Sequence, residues 1–270
     1  MSGLFEGLAP YEGYEDARVE KRDGVVVLTL NVPEKLNALT PGIRFSLKRI
    51  CEEVRDDDSA KVLVLTGEGR GFCSGADVGG GAKTAKKGRV QITENSFAWI
   101  TRFQTIDKPV IAAINGVAAG GGLSLALGCD IRIASDQARF FTVFVRRALI
   151  PDVGVTWFLP RIVGLQKALM MSWLSDEVKA EEAERIGLVD KVVPHDQLME
   201  ETMVLANRLA NGPSIAIELT KRAMYRGLTN DLLPHLDLEE KYQAICQASD
   251  DAKEGNLSFQ EKRAPNFQGR

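Results

Sequence analysis

Short apolar runs bounded by breaker residues recur along the first two thirds of the chain. Residues 25–30, Val-Val-Val-Leu-Thr-Leu, read as a strand. Thr40 and Pro41 then supply an N-cap and a first-turn proline for a helix running to the acidic Asp56, Asp57 and Asp58. The pattern continues with a strand at 61–66, a turn and loop, a helix over 94–105, a strand at 109–114, a helix at 121–128 and a strand at 130–134. Strands that alternate with helices across short connections predict a parallel sheet covered by helices, the α/β class. Ligands in such sheets bind at the carboxyl ends of the strands. Beyond about Gly187 the strand signals thin out, and helices are predicted near 196–210, 213–227 and 231–248, each preceded by a breaker or cap such as Pro194, Gly212-Pro213 or Asn230. The chain thus divides into an α/β core over 1–195 and a helical region over 196–270.

Composition narrows the function classes. The 270 residues, 44% hydrophobic and 26% charged, suffice for one extended domain or a domain with a smaller appendage. No apolar run approaches membrane-spanning length and the N-terminus lacks the basic and apolar regions of a signal peptide, so the cytoplasm is the expected location. A net charge of −3 argues against general nucleic-acid binding. Cys51, Cys73, Cys129 and Cys246 lack metal-ligand spacing and read as reduced. The two histidines, His195 and His235, follow prolines and form no cluster with carboxylates, so neither a zinc site nor a Ser-His-Asp triad is expected. Residues 79–88 form the one low-complexity patch, a candidate lid. The basic run Lys83, Lys86, Lys87 and Arg89 has the plain reading of a solvated loop and the sharper one of a neighbour to anionic phosphates.

Two glycine-rich turns carry the chemical signal. Gly120, Gly121 and Gly122 open a helix directly after the strand at 109–114, and the first N–H groups of a helix have no internal partner and favour negative charge. Such groups can stabilise an oxyanion. The second turn is Gly69-Arg-Gly-Phe-Cys-Ser-Gly-Ala-Asp77, after the strand at 61–66. Close helix–strand packing is the ordinary fate of an isolated triple glycine.

With Asn37-Ala38-Leu39, Phe72 to Asp77, Pro109 to Gly122, Cys129-Asp130 and Pro151-Asp152, the chain resembles the crotonase superfamily, the enoyl-CoA hydratase/isomerase fold, from about residue 25 to about residue 267. The resemblance implies crotonase-like repeated ββα/βα units with a parallel sheet core. It implies a C-terminal region that covers the site and builds homotrimers or dimers of trimers. It implies an acyl-CoA thioester substrate whose oxygen is clasped by the N–H groups of Ala76 and Gly121, with coenzyme A part of the substrate and no further cofactor. Asn37, Ala38, Gly75, Asp77 and Gly120 fall where relatives hold CoA, largely through backbone atoms. Lys35 and Lys262 are candidates for the phosphates, although exposed lysines usually only solubilise. Asp77 and Asp130 look structural in relatives.

Departures from the pattern bear on the reaction. Relatives that hydrate enoyl thioesters use two glutamates, and this chain has Ser124 and Phe144 at those positions. Neither side chain can act as an anionic base. Asp152 falls where isomerase-type members place a catalytic carboxylate, and its plainer reading is a turn cap after Pro151. Phe140, Phe141, Phe144, Trp157 and Phe158 form an aromatic cluster expected around the acyl pocket, with core packing as their default reading and the lining of a pocket for a bulky or long acyl chain compatible with it. The leading expectation is a double-bond isomerase with Asp152 as its single base. A hydratase is the enzymatic alternative and a catalytically silent acyl-CoA-binding protein the alternative of another class. A nicotinamide-dependent enzyme is disfavoured, because no Gly-x-Gly-x-x-Gly follows the first strand.

Overall fold

The computed structural model describes residues 10–77 and 97–270. Residues 79–88, the basic run and the first residues of the expected 94–105 helix lie outside the described residues. A hairpin of β1 (Ala17–Arg22) and β2 (Val25–Leu30) leads to α1 (Pro41–Asp56), β3 (Val62–Gly67) and β4 (Gly71–Cys73). After a 3-10 turn at Ala98–Thr101 come α2 (Arg102–Thr105), β5 (Val110–Ile114), β6 (Val117–Ala119), α3 (Gly121–Gly128), β7 (Ile131–Ser135) and β8 (Arg139–Phe141). Next follow α4 (Val155–Val163), α5 (Leu165–Leu174), β9 (Val178–Lys179), α6 (Ala180–Arg185) and β10 (Lys191–Val193). The chain closes with α7 (Leu198–Ala210), α8 (Ser214–Gly227), α9 (Leu232–Ala248) and α10 (Asp250–Glu261).

Among the described residues ten strands form two sheets. The larger has the order β1-β2-β3-β5-β7-β10 and is parallel apart from the β1–β2 hairpin. The smaller has the order β4-β6-β8-β9, parallel through β8 with β9 antiparallel at its edge. β3 and β5 are buried along their whole lengths because both faces of the larger sheet are covered. Leu63 and Leu65 face the main core with Ile43, Leu47, Ile50 and Val54 of α1. Val62 and Val64 face the other way, against Leu198 and Ala206 of α7. α7 thus closes the second face of the larger sheet. Among the described residues no helix is long and apolar enough to cross a membrane.

The predicted cap of α1 is present: the Thr40 hydroxyl accepts from the Ile43 N–H at 3.0 Å, with Pro41 in the first turn. The helix expected over 94–105 is, in its described part, the 3-10 turn and the single α-helical turn of α2. The strands of the smaller sheet lie outside the sequence reading, because two or three residues are too few to display an alternation. β10 continues the larger sheet beyond Gly187, where strand signals had faded, by pairing with β7 at Lys191 to Ile133.

A buried cation fastens α8 to the core. The Lys221 ammonium pairs with Asp130 at 2.7 Å and donates to the carbonyls of Phe103 and Lys108 at 2.7 and 2.9 Å. Asp130 also accepts from the Val110 N–H at 2.7 Å and from the Tyr225 hydroxyl at 2.8 Å. The start of β7, β5 and α8 meet at this carboxylate, in keeping with its expected structural role. Removing the ammonium leaves an uncompensated, largely buried carboxylate, so Lys221→Met is expected to destabilise the protein by about 3 kcal/mol. A urea midpoint unchanged from that of the native chain would contradict this.

Candidate active site

The two glycine turns meet through main-chain contact. β4 and β6 are parallel neighbours, so the turns at their carboxyl ends lie side by side. Gly75 (φ 91°) and Gly120 (φ 52°) both occupy the left-handed half of backbone space. A Cβ on Gly75 would stand 2.6 Å from the Ala119 carbonyl oxygen and 3.0 Å from the Gly121 nitrogen, and one on Gly122 would stand 1.9 Å from the Cys73 carbonyl oxygen. Side chains at these positions would force β4 and α3 apart. A Cβ on Gly121 would sit 3.9 Å from the Ala76 nitrogen, which shows how near the two predicted oxyanion donors lie. Gly121 is the first residue of α3, so its N–H has no acceptor within the helix. Among the described residues neither that N–H nor that of Ala76 donates to a backbone carbonyl outside the helices and strands.

Beside these groups is a cavity of about 290 Å³. It brings together Ala76, Gly120, Gly121, Phe144 and Asp152 from the sequence-predicted set. Among the described residues Asp152 is the one carboxylate in the lining. It follows Pro151 and precedes two left-handed residues, Val153 (φ 49°) and Gly154 (φ 85°), and its carbonyl accepts from the Val155 N–H at 3.1 Å where α4 begins. The turn role foreseen for Pro151-Asp152 therefore coexists with a carboxyl at the cavity. Partial burial pushes the Asp152 carboxyl above its ordinary range, and the positive charge of Arg44 opposes that rise.

Ser124 is fully buried. Its hydroxyl lies 3.3 Å from the carbonyl oxygens of both Gly120 and Asp152, linking the first turn of α3 to the segment that carries the carboxylate. Phe144 is nearly buried and presents an apolar wall. The remaining predicted residues lie outside the cavity lining. Asn37 is fully buried: its side-chain oxygen accepts from the Val32 N–H at 2.9 Å, and its amide donates to the carbonyls of Glu68 and Gly71 at 3.0 and 2.7 Å. This fixes the loop whose Leu39 N–H donates to the Gly75 carbonyl at 2.7 Å and bridges to Ala76. Ala38 is buried in the same loop. Lys35 is paired with Asp77 at 3.0 Å. Lys262 caps α10 in a left-handed conformation.

The expected aromatic cluster is only partly realised. Phe144 lines the cavity, but Phe140 lies in the core and Phe158 packs beneath Gly154 in edge contact with Trp157, whose other partner is the Arg161 guanidinium 4.1 Å from its ring. The cavity aromatics are instead Phe97 and Trp99. The sequence reading also missed Arg44 and Arg147, which contribute to the lining. Their only sequence signal was a charge at an unremarkable helical or loop position. Cys51 and Cys73 are buried in apolar surroundings that push their thiols up to about 12, as inert packing residues require. Among the described residues no cluster of His, Cys, Asp and Glu has the makings of a metal site.

Comparison with known proteins gives this arrangement a family. Residues 20–270 match the model of the enoyl-CoA hydratase/isomerase family. The chain is 40% identical over 257 residues to a Rhodobacter capsulatus protein named "Probable enoyl-CoA hydratase", covering 95% of this chain and 99% of that one. It is 39% identical over 258 residues to the 1,2-epoxyphenylacetyl-CoA isomerase of Escherichia coli, covering 94% of this chain and 98% of that one. The fold is similar to the crystal structure of an enoyl-CoA hydratase/isomerase from Cupriavidus metallidurans, with a TM-score of 0.89, 31% identity, and coverage of 96% of this chain and 98% of that one. The α/β architecture, the paired glycine turns and these matches agree: the chain belongs to the enoyl-CoA hydratase/isomerase family of the crotonase superfamily, whose enzymes act on acyl-CoA thioesters.

Proposed function

We propose that this protein moves a double bond in an enoyl-CoA thioester, with Asp152 as the single proton carrier. The observation that carries the reading is the inventory of the cavity among the described residues: Asp152 as its one carboxylate, two N–H groups without a backbone acceptor, and the apolar Phe144, with the buried Ser124 outside the lining, where the resemblance places the two acids of water-adding relatives. In the forward direction the Asp152 carboxylate takes a proton from the carbon between the thioester carbonyl and the double bond. The C–H electron pair moves into the thioester and places negative charge on its oxygen, where the Ala76 and Gly121 N–H groups donate to it. Loss of one such donor typically costs about 3 kcal/mol of transition-state stabilisation. The protonated Asp152 then returns the proton two carbons further along, and the electrons re-form the double bond in conjugation with the carbonyl. Atoms and charge balance without a second acid, and the step needs no cofactor beyond the CoA of the substrate. The apolar wall of Phe144 disfavours an attacking water, and Ser124 holds the backbone of Asp152. The isomerase name of the Escherichia coli relative supports this reading. Hydration is the second reading, favoured by the name of the Rhodobacter capsulatus relative.

The same reading includes a homo-oligomer. α8, α9 and α10 expose Met224, Leu232, Leu233 and Phe259, the last at 85%, and a self-associating chain would cover such a face. Light scattering is expected to give a mass of three or six chains; a monomer at micromolar concentration would count against it.

Mass-spectrometric deuterium incorporation from heavy water into 3-enoyl-CoA and 2-enoyl-CoA thioesters tests the chemistry. Exchange with double-bond migration in the native chain, abolished in Asp152→Asn, is the expected result. Water addition that survives the substitution would favour hydration, and binding without exchange a silent acyl-CoA-binding protein. The pH dependence has a defined sign. Because the Asp152 carboxyl is held above its ordinary range, activity is expected to rise with pH as this group loses its proton and to fall in acid. Arg44 favours the charged form, so Arg44→Met is expected to move that rise to higher pH; an unmoved profile would remove Asp152 as the titrating base.

A further inference from the structure

We infer that the acyl cavity is built for a thioester whose acyl group ends in a carboxylate, held by Arg147 together with Arg44. The inference rests on the cavity being the acyl site, though not on which reaction occurs there.

Among the described residues, Arg44, Arg147 and Asp152 share a lining otherwise made of Leu39, Phe97, Trp99, Val143, Phe144, Leu149 and Val153 with small residues. Among the described residues of the lining, the charged side chains sum to one excess positive charge when Asp152 is ionised. Their positions are fixed by the elements that carry them. Arg44 lies in the first turns of α1, and its Nε donates to the Leu39 carbonyl at 3.1 Å, which leaves the terminal nitrogens of the fork to face elsewhere. Leu39 itself reaches within 2.9 Å of where a Gly121 Cβ would stand, so Arg44 is anchored beside the thioester-binding turn. Arg147 ends the 3-10 turn Val145–Arg147, between Phe144 and Asp152, both of which line the cavity. Its neighbour Arg146 is turned away and donates to the Ser175 carbonyl at 2.5 Å. Among the described residues no hydrogen bond or ion pair engages the Arg147 guanidinium.

A wholly hydrocarbon acyl chain would lie against these guanidinium groups and take water from them without returning a hydrogen bond, which is unfavourable. A terminal carboxylate accepts two parallel N–H bonds from such a fork and cancels the excess charge. The CoA phosphates are the other anions in reach. They are common to every CoA thioester, so the ratio of affinities between two thioesters isolates the acyl terminus.

Isothermal titration calorimetry with saturated CoA thioesters, in which no double bond can migrate, provides the test. Thioesters ending in a carboxylate and in a methyl group are compared over the same chain lengths. The native chain is expected to prefer the carboxylate-ended member by about tenfold or more at the best-fitting length, in line with a charge-assisted hydrogen bond. Arg147→Leu is expected to collapse that ratio and Arg147→Lys to restore part of it. Equal weakening of both thioesters in Arg147→Leu, with the ratio intact, would assign the arginine to the phosphates and overturn the inference. So would the absence of a preference in the native chain. A retained preference in a protein that shows no proton exchange would defeat the isomerase reading and leave this inference standing; failure of every CoA thioester to bind would defeat both.

Discussion

The contact on which the site depends is between main chains. The Cys73 carbonyl lies where a Cβ of Gly122 would be, and the Ala119 carbonyl where one of Gly75 would be, at 1.9 and 2.6 Å respectively. No side chain separates β4 from the start of α3, so the main-chain nitrogens of Ala76 and Gly121, some forty-five residues apart in sequence, lie close together. Everything else in the cavity takes its position from that approach. Leu39 reaches the site because its loop bridges to Ala76, and Asp152 does so because Ser124, one turn into α3, holds its backbone.

Rigidity around this contact comes from polar groups that are buried and satisfied. Asn37 uses both ends of its amide to tie the loop before α1 to the residues around β4, and a buried side chain with three partners is costly to displace. At the far end of the larger sheet Asp130 joins β5, β7 and α8 through Lys221 and Tyr225. Preorganised donors stabilise a developing oxyanion because they need not reorient as the charge forms. Asn37 fixes the loop that bridges to Ala76.

Among the described residues the cavity sets one acid, Asp152, among apolar walls and two arginines. Partial burial disfavours the Asp152 anion, whereas Arg44 favours it. The balance suits a group that must both accept and return a proton, since a base too stable as an anion abstracts poorly and one too unstable is never ionised. The same arginines give the cavity a preference in charge that an apolar wall alone would not have.

Local signals in the sequence determined a good part of this. Apolar runs marked β2, β3 and β5, Thr40-Pro41 marked the start of α1, and the triple glycine marked α3, because strand burial, capping and left-handed turns are each decided within a few residues. The same locality made Ala76, Gly121 and Asp152 legible as candidates through the resemblance of their motifs. Tertiary structure alone decided what stands beside them. The strands of the smaller sheet are too short to show an alternation and exist through pairing with distant partners. Phe140 and Phe158, close in sequence to Asp152, point into the core, whereas Phe97, Trp99, Arg44 and Arg147 arrive at the cavity from separate segments. A wall assembled from segments far apart in the chain has no local pattern, because its membership is set by how helices and sheets pack and not by the spacing of residues along them.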